Sequence, residues 1–453
     1  MLQPNEAEFR QRGRYDKRRQ AILNMKQNMQ TSVRSILCFA ALSLVMTGCA
    51  SHRSEPPASA VPTVTASISP TAAATPAPTV KPVSTPAPTT ASLIKTMSLE
   101  EKIGQMIIAG IDGYSVNAAA RELLADRHVG GIILYKPNVQ NTNQLVELVN
   151  GLKKSNSSNK LPLWIGADEE GGRVTRLPDE LLKTPTSQEI GKKGNTQLAY
   201  NIGHLLGKEL NAYGLNMDFA PDLDVNSNPK NPVIGDRSFG ADAAIVSSQG
   251  IQVMNGLQNQ KVVPVVKHFP GHGDTSVDSH IGLPIVQNDL ARLRKLELVP
   301  FAEAIKHQAD AVMVAHILLP KIDANNPASM SRTIMTDLLR KEMGFQGLIM
   351  TDDMTMGAIT TNYGLGEAAV KAVLAGSNIV MVGHEHEKVI TVITALLEAV
   401  KSGRIPQETI DQSVSQVMKL KQKYGLNDEP VKVPDVKKLN AEVKEVLGIQ
   451  TSK

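Results

Sequence analysis

Eight short apolar runs, each followed by a stretch with helical periodicity, constrain this chain more than any other feature. They are Met106–Ile111, Gly131–Tyr135, Leu163–Ala167, Met217–Leu223, Val262–Val266, Ala311–Ala315, Leu348–Met350 and Asn378–Val382. Apolar residues follow one another in these runs instead of alternating with polar ones, the pattern of strands buried on both faces of a parallel sheet. The intervening stretches have a different spacing. In one of them Leu198, Ile202, Leu205, Leu206 and Leu210 mark one helical face and Gly214 is placed to stop the helix. Eight strand–helix units predict an α/β fold, a (β/α)8 barrel forming a single catalytic domain over residues 92–426. A doubly wound open sheet is built from the same units and is the runner-up.

What precedes residue 92 has another texture. Eight Lys/Arg against three acidic residues in positions 1–34 account for the whole of the formal +4 charge. The nearly neutral body has no electrostatic footprint for nucleic acid. The apolar run Ser35–Met46 has the length of a signal-peptide core and is too short to span a bilayer as a helix. It leads into Thr47-Gly48-Cys49, which resembles the lipobox of bacterial lipoproteins, with Met46 where Leu is usual. That resemblance implies that residues 1–48 are an N-terminal extension and signal peptide and that Cys49 is acylated. The protein would then sit outside the cytoplasm, anchored to the membrane by lipid. Residues 49–91 are mostly Ala, Pro, Thr, Ser and Val, a composition that favours extended chain over a core and reads as a tether. Cys38 and Cys49 are the only cysteines, so after cleavage no thiol is left for a disulfide, thiolate catalysis or a zinc cluster. Residues 427–453 form a charged tail, expected as a surface helix or disordered.

Polar residues gather directly after the apolar runs: Asp168, Asp222 with Asp224, Lys267 with His268, His316, and Asp352 with Asp353. In a parallel barrel these positions share the C-terminal rim, where active sites form. Residues 267–280, KHFPGHGDTSVDSH, carry three His, two Asp and Lys267, with Gly271 and Gly273 allowing sharp turns. In an extended loop Asp278 and His280, two apart, point the same way, so the carboxylate can hold the imidazole in one tautomer and support its cation. A strand-end carboxylate facing an acid/base group is the equipment of retaining glycoside hydrolysis. The second partner here would be a His–Asp dyad.

Four motifs, DEEGGRVTRL (168–177), VIGDRSF (233–239), KHFPGHGDTSVDSH (267–280) and TDDM (351–354), carry a resemblance over roughly Leu93 to Gly425. The chain resembles the single-barrel bacterial β-N-acetylglucosaminidases of glycoside hydrolase family 3. The resemblance implies Asp352 as nucleophile, His280 as acid/base and Asp278 as its partner. It also implies that Asp168, Arg176, Arg237, Lys267 and His268 grip sugar hydroxyls. The substrate would be terminal β-linked N-acetylglucosamine on peptidoglycan fragments, muropeptides or oligosaccharides. No cofactor or metal is implied, and a monomer is expected. The chain departs from the family at Ala375-Gly376-Ser377-Asn378, where Ala-Gly-x-Asp is common, and at His384-Glu385-His386, which is foreign to the pattern.

Other readings stay open on the sequence alone. Asp353 competes with Asp352, although adjacent strand residues face opposite ways and only one should aim into the barrel. Arg237 could pair simply with Asp236 or another acid. Asp222 and Asp224 read as groups that cap or bond locally, and His272 as a brace for its loop through backbone bonds. His204 and His307 fit ordinary helix faces, and Met354 and Met356 fit core filler. A metal-dependent barrel hydrolase would use His268, His316, Asp352 and the His384/His386 pair. A non-catalytic wall-binding lipoprotein would need only the anchor and tether. Within the family, β-glucosidase, β-xylosidase and phosphorolytic activities are the alternatives.

Overall fold

The computed structural model describes residues 90–449. The expected signal peptide, Cys49 and nearly all of the tether lie outside them. Strands β1 (Ile107–Gly110), β2 (Gly131–Leu134), β3 (Trp164–Ala167), β4 (Met217–Asp218), β5 (Val263–Phe269), β6 (Ala311–Val314), β7 (Leu348–Asp353) and β8 (Ile379–Val382) fall on the eight apolar runs. Each pairs in parallel with the next, and β8 returns to β1, closing the barrel. The open-sheet alternative is thereby excluded.

Both faces of each strand are buried, which is why the runs lack alternation. Ile108, Ile133, Val265, Met313, Met350 and Met381 cluster inside the barrel. Their neighbours Ile107, Ile132, Val266, Val312, Ile349 and Val380 pack outward in a second cluster with the helices. The helix α1 (Thr196–Ala212) shows how local signals place that outer layer. Asn195 caps its N-terminus by accepting from the backbone N–H of Leu198, Ile202, Leu205, Leu206 and Leu210 are buried, and Gly214 follows with φ +80°.

The opposite, N-terminal mouth is plugged by α2 (Gln407–Lys423), which sends Val417 and Leu420, with Tyr424 just after it, into the inner cluster. The Lys421 amine donates to Gln105 Oε1 and to the carbonyls of Gly130 and Pro162, at 2.7–2.9 Å. It also sits 4.7 Å over the ring of Trp164. These acceptors precede β1, β2 and β3, so one side chain ties three strand starts together. Burial pushes its pKa down to about 7, while three acceptors match the three N–H bonds of the ammonium.

Of the two expectations for the C-terminal tail the described residues show the surface helix, and they anchor it. Asp428 accepts from the backbone N–H of Leu163 and from Asn156, and Asn150 exchanges two hydrogen bonds with the backbone of Val431. Helix α3 (Val436–Leu447) then buries Leu439 and Val443 in the outer core, beside α1. The dense charge of the tail hides an apolar stripe, Val436, Leu439 and Val443, at helical spacing.

Candidate active site

A pocket of about 400 Å³ opens at the C-terminal ends of the strands. All eight residues expected to act there line it: Asp168, Arg176, Arg237, Lys267, His268, Asp278, His280 and Asp352. Lys267 and His268 both reach the pocket although they are adjacent, because the register of β5 against β6 breaks between Val266 and Phe269. The same happens in β7, whose register against β8 breaks between Met350 and Asp353. Asp352 and Asp353 therefore both border the pocket, contrary to the regular-strand expectation that only one could.

Their chemistry separates them. One Asp353 oxygen accepts from Gly383 N at 2.7 Å, Thr355 N at 2.9 Å and the Thr355 hydroxyl at 2.8 Å. That carboxylate is committed to holding the turn. Asp352 accepts only from the backbone N–H of Asp353, at 2.8 Å, among the described residues. Burial favours its protonated form, but His316, His268, that N–H and His280 outweigh it and hold its pKa below the ordinary value. An ionised, underused carboxylate is what a nucleophile requires.

The opposite wall is a buried charge network with Glu170 at its hub. Arg237 binds Glu170 in bidentate fashion at 2.7 and 2.9 Å, and Lys267 reaches Glu170 at 2.7 Å and Asp168 at 2.7 Å. Burial disfavours the Glu170 carboxylate, yet Arg237 and Lys267 hold its pKa far below normal. Burial likewise works against the Lys267 ammonium, but Asp168 and Glu170 keep its pKa above normal. Arg237 is thus no partner of Asp236, which pairs with Arg173 at 2.6 Å. Arg176 lies 3.8 Å from Asp168. Glu170 was not singled out from the sequence. Its signal was two further acids beside Asp168 ahead of Gly171-Gly172, at a strand end facing several cations.

Behind His268 lie Asp224 and Asp222. Asp222 bonds locally as expected, accepting from the backbone N–H of Asp224 at 2.9 Å, but Asp224 is more than a local cap: it takes the His268 ring at 2.7 Å and the backbone N–H of His272 at 2.6 Å. Burial lowers the His268 pKa to about 4, with Arg237 and Lys267 adding to the shift. The neutral ring therefore donates from Nδ1 to Asp224 and presents Nε2 to the pocket as an acceptor, 3.5 Å from Arg237. Burial, then the Asp224 charge, drives the Asp222 pKa well up, and its Oδ2 has no hydrogen-bond partner.

The motif loop turns where its glycines allow. Gly271 has φ +127°, and a Cβ on Gly273 would overlap the carbonyl of Val225. His272 braces the loop through its backbone, whose carbonyl accepts from Asn231 at 2.8 Å, and with its side chain as well: Nδ1 lies 2.7 Å from the Thr275 hydroxyl and Nε2 3.1 Å from that of Ser279. Burial pushes its pKa down to about 3. Asp278 to Ile281 form a tight turn, not the extended segment expected, closed by Ile281 N–H on Asp278 O. The Asp278 carboxylate accepts from the His280 backbone N–H at 2.8 Å instead of from its ring. Its other oxygen has no partner among the described residues. His280 is exposed at the pocket mouth.

The ligand set of a metal-dependent hydrolase does not assemble. Both His316 nitrogens are used, by Ser329 Oγ at 2.7 Å and the carbonyl of Asp353 at 2.9 Å. His386 turns away to Glu122, at 3.2 Å. Asp222, Asp224 and His268 do bring donor atoms within 4.8 Å of one another. Their close pair is already joined by a proton, and the Arg237 guanidinium stands 3.7 Å from Asp222, where it competes with any cation.

A (β/α)8 barrel with an ionised carboxylate at a strand end, facing a buried wall of paired charges, is an arrangement suited to a carbohydrate-cleaving barrel enzyme. Residues 98–420 match the glycosyl hydrolase family 3 N-terminal domain, and the chain belongs to that family: it is a glycoside hydrolase. "Beta-hexosaminidase A" of Pseudoalteromonas piscicida is 37% identical over 327 residues, 67% of this chain. The matched region is only 54% of that longer relative. "Beta-hexosaminidase LpqI" of Mycobacterium tuberculosis is 33% identical over 340 residues, 73% of this chain and 84% of its own. Among solved structures, a family 3 β-N-acetylglucosaminidase from Paenibacillus sp. is 42% identical with a TM-score of 0.73, covering 77% of this chain and 68% of its own.

Proposed function

We propose that this enzyme is a retaining, exo-acting β-N-acetylglucosaminidase that removes terminal β-linked GlcNAc from peptidoglycan fragments. The observation that carries the reading is the contrast between Asp352, left with one hydrogen bond at the pocket, and Asp353, fully engaged beside it. The names of the relatives support the hexosamine class.

In the first step the Asp352 carboxylate attacks the anomeric carbon and the bond to the leaving oxygen breaks. His280 gives its proton to that oxygen. In the second step His280 takes a proton from water, whose oxygen displaces Asp352 and restores the β configuration. Asp278, held on the backbone of His280, keeps its second oxygen available to an imidazole N–H. Asp168, Arg176, Arg237, Lys267 and His268 hold the hydroxyls of the terminal sugar. No step requires a cofactor.

The lipobox-like Cys49 and the tether extend the reading to a membrane-anchored, extracytoplasmic enzyme, which we propose acts as a monomer. Cys49→Ser should release the protein or leave its signal uncleaved, and unchanged detergent partitioning would refute the anchor. The activity is tested with p-nitrophenyl β-glycosides of GlcNAc, GalNAc, glucose and xylose, with and without phosphate. Preference for GlcNAc independent of phosphate supports hydrolysis. Preference for glucose or xylose, or turnover that needs phosphate, overturns it.

A further inference from the structure

His384 is a titratable pocket residue to which the mechanism gives no role. It lies just past β8, after Gly383, and its neighbour Glu385 has φ +65° and ψ +103°, a conformation that residues with a side chain rarely adopt. This bend sends His384 and His386 in different directions, His386 to Glu122 and His384 to the pocket. Outliers of this kind persist where the surroundings over-determine them, and they gather at functional sites.

The imidazole of His384 is held on two sides. It stacks on Tyr135 with ring centroids 4.6 Å apart and 21° between planes. Its Nε2 lies 3.7 Å from Asp353 Oδ2, the carboxylate that fixes the turn of the nucleophile. The remainder is open: the side chain is 58% exposed, whereas Lys267 is 1% and Arg237 13% exposed. The buried charged wall encloses the terminal sugar. The exposed lining, His280 and His384 with Arg173 and Pro232, is where the rest of a substrate must emerge, and of these His384 stands beside the nucleophile's turn.

We propose that His384 is a specificity-determining residue that hydrogen-bonds the leaving sugar at the pocket mouth, favouring a hydroxyl- or acetamido-bearing leaving group over a bare aryl group. This rests on the reading of the enzyme as an exo-acting glycosidase. The rigid stack on Tyr135 pre-places the donor, so little side-chain freedom is lost when it binds. Nothing in the bond-breaking step needs the ring, so its effect belongs to binding of the leaving sugar.

The experiment measures kcat and KM for N,N′-diacetylchitobiose and p-nitrophenyl β-GlcNAc with the wild type, His384→Phe and His384→Gln. Phe keeps the stack and removes both ring nitrogens, and Gln restores an N–H near the position of Nε2. His384→Phe is expected to lose about tenfold more kcat/KM on the disaccharide than on the aryl glycoside, mostly through KM, with Gln recovering part of the loss. Equal losses on both substrates, or none on either, would overturn the proposal. A wild type inactive on both substrates would instead overturn the proposed function, and shows before any variant is compared.

Discussion

The Nδ1 of His268 lies 2.7 Å from Asp224 Oδ2, and both groups are buried. The contact fixes which ring nitrogen faces the pocket. With Nδ1–H committed to a carboxylate, Nε2 can only accept, so this point of the pocket demands a hydroxyl that donates. Asp224 is thus a positioning residue that acts through His268.

Asp224→Asn should therefore weaken sugar binding without removing any group that touches substrate. An amide can offer its N–H₂ to the ring and turn the tautomer round, pointing Nε2–H at the hydroxyl. The expected loss in kcat/KM is roughly 10–100-fold, chiefly in KM, the worth of a charge-assisted hydrogen bond. Nitrogen chemical shifts of the ring would report the tautomer directly. An unaltered KM, or an unaltered tautomer, would sink the assignment.

The two adjacent aspartates should separate cleanly. Asp352→Asn is expected to lose more than about 10⁴-fold in kcat with its melting temperature nearly unchanged, since only one local hydrogen bond involves that carboxylate. Asp353→Asn should lower the melting temperature, because the N–H groups of Gly383 and Thr355 lose a charged acceptor. A 5-fluoro-glycosyl substrate should label the peptide at Asp352. Label on Asp353, or a stable Asp353→Asn, would reverse the roles.

The eight strands were legible because a barrel strand buried on both faces must be apolar throughout, and loops cannot imitate that. The apolar run Met217–Leu223 is longer than its strand, since only Met217–Asp218 is strand and Asp222 returns as a lone bridge to Lys267. The site residues were legible as strand-end polar groups. Their geometry was not, because regular alternation conceals the register breaks in β5 and β7. Glu170 escaped notice because a carboxylate shows its partners only once Arg237 and Lys267, 67 and 97 positions away, are folded beside it.

Buried His272 gives stability a pH dependence. Its folded pKa of about 3 lies below the ordinary value of 6.5, so the folded state resists a proton that the unfolded chain accepts. Its contribution is complete above pH 6.5 and is lost as pH falls towards 3, amounting to about 3 kcal/mol by pH 4. His268, at about 4, acts in the same direction. Asp224, raised to about 6 by burial, acts oppositely and offsets part of the loss. His272→Gln can still reach Thr275 or Ser279 and carries no titration. Its melting temperature should fall less steeply than that of the wild type between pH 6.5 and 4. Parallel curves would show that His272 does not set the acid limb.

His280 stands exposed on its turn, with Asp278 on its backbone N–H, and His384 is the other exposed imidazole among the described residues lining the pocket. A general acid matters in proportion to how badly the leaving group needs a proton. Dinitrophenolate departs almost unaided, whereas a sugar alkoxide does not. His280→Ala should therefore lose about 10²–10⁴-fold more activity on a GlcNAc–sugar linkage than on an activated aryl glycoside. With activated substrates the covalent intermediate should accumulate, because the same imidazole must later take a proton from water, and azide should restore part of that step. Asp278→Asn should weaken both steps less, since it removes support for the imidazolium and leaves the ring in place. The decisive measurement is kcat/KM across leaving groups of graded pKa. A slope for His280→Ala no steeper than that of the wild type would make His280 a binding residue and leave the proton to another group. If the slope steepens for His384→Phe instead, the acid/base role passes to His384.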